Sequence, residues 1–136
     1  MVRAFASRGV ARADFDNDGD LDLLVASLND RPVLLRNDTP RGERHWLEVM
    51  LVGQGGNRDA IGAVVRVTTG GRTIVRHRAS AGSYLSQHDP RLHFGLGGQG
   101  KVERLEVVWP DGSRQEVRDA LADRLLTVRQ DPQKPR

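Results

Sequence analysis

Five aspartates, Asp14, Asp16, Asp18, Asp20 and Asp22, alternate through the nine-residue stretch DFDNDGDLD, with Gly19 among them. Counted from Asp14 as position 1, side-chain carboxylates fall at 1, 3, 5 and 9, the Asp20 carbonyl at 7 and the glycine at 6. That spacing lets the oxygens converge on one cation, and glycine permits the sharp turn they need. Every donor is a hard oxygen, with no His or Cys in the stretch, which favours Ca²⁺ over zinc or copper. Mg²⁺ fits less well, because it takes fewer protein ligands and keeps its waters. Two carboxylates ~5 Å apart repel by roughly 3 kcal/mol at an effective dielectric of ~20. A loop holding several such pairs resists folding without a divalent ion at its centre. The plainer alternative is a solvated acidic turn, which requires neither the spacing nor the glycine.

The elements that position this loop read as strands. An EF-hand has the same first half, but it needs a bidentate Glu at position 12 and helices on both sides. Position 12 is Val25, and the flanks VARADF and LDLLVAS read as β. Leu21, Leu23 and Val25 point one way and Leu24 and Ala26 the other, so this strand asks for burial on both faces. PVLLRN is a third strand, and TPRGER a linker.

Beyond the linker the pattern alternates with period two. The inward sets are Leu47, Val49, Leu51; Ala63, Val65, Val67; Leu92, Phe94, Leu96; and Leu105, Val107, Trp109. Gly70–Gly71 and the PDGS run at 110–113 read as hairpin turns. DALAD is expected to form one helical turn before the last strand, RLLTVRQ. The fold class is therefore all-β: a partial propeller-type blade with a cation loop, then a small antiparallel β-sandwich or barrel of about seven strands. The expected divisions are 1–42, 43–130 and a frayed tail at 131–136.

The chain has 136 residues and a formal net charge of +3. The acidic stretch contributes −5, leaving +8 on the remainder, nearly all of it arginine. There is no cysteine, which excludes disulfides, thiolate metal sites and a Cys nucleophile. Arg3, Arg8 and Arg12 interrupt the N-terminal segment, so no signal peptide is visible, and no run approaches the ~20 apolar residues of a membrane span.

The stretch ADFDNDGDLDLLVASLNDRPVLLRND resembles an FG-GAP/VCBS-type propeller repeat of the variant that lacks the Phe-Gly and Gly-Ala-Pro dipeptides. Residues 44–128 resemble the ASPIC/UnbV domain of the cartilage acidic protein-like family, through HWLEVMLVG, NRDAIGAVVRV, GSYLSQHDPRLHFGLG and VERLEVVWPDGSRQEV. The resemblance implies Ca²⁺ at Asp14, Asp16, Asp18 and Asp22, with Asp20 through its carbonyl. It also implies an extracellular or periplasmic setting, and it supplies no activity for the second domain.

Two further loops carry polar candidates for a ligand pocket: Asn57 and Asp59, and Ser83, Tyr84, Gln87 and His88. The same residues also read as turn formers bonding their own backbone. No catalytic set assembles: Ser83, His88 and Asp89 are neighbours in sequence, which is not triad geometry. Dispersed arginines, few aromatics and no groove-reading motif argue against nucleic acid as partner. Trp46 alternates out of phase with its strand and is expected at a domain interface. The expectation is a non-enzymatic, calcium-binding recognition, adhesion or structural module, the C-terminal part of a larger propeller protein. Its partner would be a protein or glycan, without membrane insertion, and self-association through the truncated blade is a further route. The alternative is a carbohydrate-active accessory or hydrolytic domain using the sandwich loops.

Overall fold

The computed structural model describes residues 6–132, so part of the expected tail, from 133 onward, lies outside the described residues. Those residues form ten strands in three sheets and contain no helix. The chain divides into two compact units, Met1–Pro40 with Ser80–Asp89, and Arg41–Ala79 with Pro90–Arg136.

In the first unit, β1 (Ser7–Ala13), β2 (Asp22–Ser27) and β3 (Val33–Leu35) form an antiparallel meander. The expected burial of β2 on both faces is not met within this sheet: Leu23 and Leu24 are exposed, as are Leu34 and Leu35 on β3. The segment Ser80–Asp89 lies along β1, where the Asp89 amide donates to the Arg12 carbonyl at 3.0 Å. Gly9 permits this approach, because a Cβ there would run into the Ser86 hydroxyl and the Tyr84 carbonyl.

The second unit holds β4 (His45–Val52), β5 (Val64–Thr69), β6 (Arg72–His77), β7 (Leu92–Gly97), β8 (Lys101–Val108), β9 (Arg114–Leu121) and β10 (Arg124–Arg129). They build two separate sheets, β10-β4-β7 and β6-β5-β8-β9, rather than one closed barrel. All twelve expected inward residues are buried and belong to one core with Val102 and Val128, so the arrangement is sandwich-like. Gly70 and Gly71 both have positive φ, as the tightest hairpin turn demands. At the second hairpin the Gly112 amide donates to the Trp109 carbonyl at 2.9 Å.

Two expectations are corrected. The sandwich is not wholly antiparallel, since β10 runs parallel to β4 from Arg124 beside Leu47 to Arg129 beside Val52. Alternation reports which face a residue takes and is silent on strand direction. The DALAD segment forms no helical turn: it ends β9 and turns into β10. Asp119 and Asp123 adopt left-handed φ of 52° and 57°, which aspartate tolerates and a helix does not. Asp123 instead accepts from the Trp46 amide at 3.2 Å and pairs with His45 Nδ1 at 2.6 Å.

β4 also buries a charge. Glu48 is 1% exposed and meets Arg91 at 2.8 Å. The ion pair is what allows a carboxylate at that position, since an uncompensated buried charge would cost several kcal/mol.

Candidate metal centre

The acidic loop joins β1 to β2, and backbone hydrogen bonds set its shape. Asp14 is 2% exposed, and its two carboxylate oxygens accept the amides of Asp18 at 3.0 Å and Gly19 at 2.8 Å. Asp18 in turn accepts the Asp20 amide at 2.9 Å. Asn17 and Gly19 take positive φ of 60° and 93°. Asparagine tolerates the first value, and the second suits glycine best. Asp22, 3% exposed, accepts the amides of Phe15 at 2.9 Å and Asn37 at 2.8 Å. It thereby ties the loop's entry to the segment just past β3.

The structure brings together three of the five aspartates. One oxygen from each of Asp14, Asp16 and Asp18 lies within 4.8 Å of the others. Oxygens sharing one Ca²⁺ at 2.3–2.6 Å stand no more than roughly 5 Å apart, so the set fits that ion. The Asp20 and Asp22 side chains are outside this group. Asp22 braces the loop, with one amide on each oxygen. Arg36 Nη1 stands 3.8 Å from Asp16, while its Nη2 is held by Asp38 at 2.6 Å. Hydrogen bonding to Asp38 comes first among the causes that raise the Arg36 pKa above its usual value, with Asp16 and Asp18 adding to it. Arg36 and Asn37 are the neighbours that sequence spacing could not place, because they reach the loop across the meander.

The other candidates fall into different units. In the second, Asn57 donates to the Ile61 carbonyl at 2.9 Å and accepts its amide at 3.0 Å, bracing its own turn; Asp59 is exposed. In the first, Ser83 Oγ accepts the Val10 amide and His88 Nδ1 the Arg12 amide, each at 3.3 Å. Burial, and then the charge of Arg12, lower the His88 pKa below 6.5, consistent with a neutral ring that accepts. Gly82 leaves room for that ring, since a Cβ would collide with it. Gln87 is exposed, and Tyr84 and Leu85 are presented at 65% and 89% exposure, Leu85 with a left-handed φ of 47°.

The family profile described as "ASPIC and UnbV" matches residues 53–135. The chain belongs to this family. It is 32% identical over 116 residues to cartilage acidic protein 1 of Xenopus tropicalis, covering 76% of this chain and 16% of that protein. The human and mouse proteins of the same name are each 31% identical over 111 residues, covering 73% of this chain. This ASPIC/UnbV chain thus spans 16% or less of the length of these relatives. Among the described residues no helix is long and apolar enough to cross a membrane.

Proposed function

We propose that this chain is a non-enzymatic, Ca²⁺-binding recognition or structural module, the C-terminal part of a larger propeller protein that works in an extracellular or periplasmic setting. The observation that carries the reading is the convergence of one oxygen from each of Asp14, Asp16 and Asp18 within 4.8 Å, a spacing that one Ca²⁺ can bridge. A buried Asp14 and an Asp22 clamp hold the loop in shape. The acidic loop between antiparallel strands, followed by the β3 strand and Arg36, supports a propeller-type FG-GAP/VCBS repeat over residues 9–38. Asp20 completes the ligand set through its carbonyl and Asp22 through the lone pairs its two amide bonds leave over.

Tyr84 and Leu85 support recognition of a protein or glycan, since an exposed aromatic on a strained turn is a common binding device. Exposed Leu23, Leu24, Leu34 and Leu35 support burial of the first sheet against further blades or a second copy. Calorimetric titration of Ca²⁺ into the metal-stripped chain tests the reading. One binding event is expected, and Asp18→Ala removes it. Equal heats for the two chains would refute the assignment.

A further inference from the structure

The two units carry opposite charge. The second has sixteen Lys and Arg against ten Asp and Glu, and the first five against eight. Part of the excess, a net two charges, sits on one outer sheet face as a cluster of four arginines around two glutamates. Arg66 on β5 and Arg114 on β9 both donate to Glu106 on β8, at 3.3 and 3.0 Å. Arg104 on β8 and Arg118 on β9 both donate to Glu116, at 2.6 and 2.5 Å. In the register Arg104 lies directly opposite Arg118. Like charges so placed are destabilising unless something relieves them. Two carboxylates serve four guanidiniums, so two positive charges are left over. The side chains of the four arginines are 41–74% exposed, while the glutamates are 14% and 29% exposed. The carboxylates thus brace the guanidiniums from below, and much of each five-donor fork faces solvent.

We propose that this arginine plate binds a linear sulfated glycan. Sulfates repeated along a chain match guanidinium forks repeated across a sheet, where strands lie roughly 4.8 Å apart. A nucleic acid would call for a groove-entering element or stacking aromatics, and the face offers Thr68, Thr73, Val75 and His77 instead. At the rim, Lys101 pairs with Asp119, and Glu103 accepts the Gly70 amide; together they add one negative charge and do not cancel the plate. That the module meets such a polymer rests on the extracellular reading above; the guanidinium geometry does not.

The test is titration of the full chain with a heparin dodecasaccharide at 0.15 M salt. The double variant Arg104→Gln/Arg118→Gln is expected to bind about ten-fold more weakly, each exposed ion pair contributing up to about five-fold. Glu116→Gln adds a net positive charge and is expected to bind more tightly, which keeps the test informative if the double variant folds poorly. Arg124→Gln, on β10 outside the plate, should stay within about two-fold of the parent. Absence of binding, equal losses for the double variant and Arg124→Gln, or tighter binding of a DNA oligonucleotide of matched charge would each overturn the proposal. Ca²⁺ titration in the same samples separates this failure from failure of the metal reading.

Discussion

Aspartate spacing is a local property: it names five aspartates, and three of them, Asp14, Asp16 and Asp18, converge in space. Their supports are not local. Arg36, which stands over Asp16, and the Asn37 amide, which fixes Asp22, arrive through strand pairing that spacing cannot express. Arg36 should therefore compete with a bound cation. Arg36→Gln is expected to tighten Ca²⁺ by a few-fold, measured by calorimetry, because it removes a positive charge that faces Asp16. Glu48 shows the other limit of local reading. Alternation assigns inward faces to Leu47, Val49 and Leu51 and gives no reason to bury the glutamate between them, yet Arg91, more than forty residues on, makes that burial tolerable. Arg91→Ala should lower unfolding free energy by about 3 kcal/mol in urea denaturation, since it breaks the ion pair of a buried carboxylate.

Strands and hairpins are legible because period-two burial and left-handed glycines are written along the chain: Leu92, Phe94 and Leu96 are buried as alternation requires, and Gly70–Gly71 turns the β5–β6 hairpin. Strand partners and direction are less so. The parallel β4–β10 pair joins segments separated by most of the second unit. The Ser80–Asp89 segment looks like a loop of the sandwich in sequence, yet it groups with β1. Its hold on β1 is acid-sensitive. His88 accepts the Arg12 amide only when neutral, and its pKa lies below 6.5 in the folded state. The contribution is therefore complete above pH 6.5 and is lost as pH falls through that lower value. Amide exchange at Arg12 should accelerate in that window, and Gly82→Ala, which displaces the imidazole, should produce the same acceleration at neutral pH. Unchanged Arg12 protection in both cases would show that His88 does not fasten the segment.

At the scale of the molecule, charge and stability divide with the units. Hydrogen bonding from Arg118 leads the causes that hold Glu116 below its ordinary 4.5, against desolvation. Desolvation pushes Glu106 upward, but hydrogen bonds from Arg114 and Arg66 outweigh it and leave the group lowered as well. Both carboxylates stabilise the fold above about pH 4.5, and that contribution disappears as pH falls through the depressed values. Melting temperature should therefore decline below about pH 4.5, and less steeply in Glu106→Gln/Glu116→Gln. A chain cut to residues 41–136 keeps the whole buried core and should still unfold cooperatively, with residues 80–89 losing amide protection because β1 is gone. A divalent cation is expected to complete the fold at Asp14–Asp18, and thermal unfolding of the full chain reads this out. With free Ca²⁺ at 100 times Kd, linkage adds about 2.7 kcal/mol. The melting temperature should then rise by several degrees over an EDTA-treated sample, and Asp18→Ala should abolish the rise; equal melting temperatures with Ca²⁺ and with EDTA would show that no cation completes the loop.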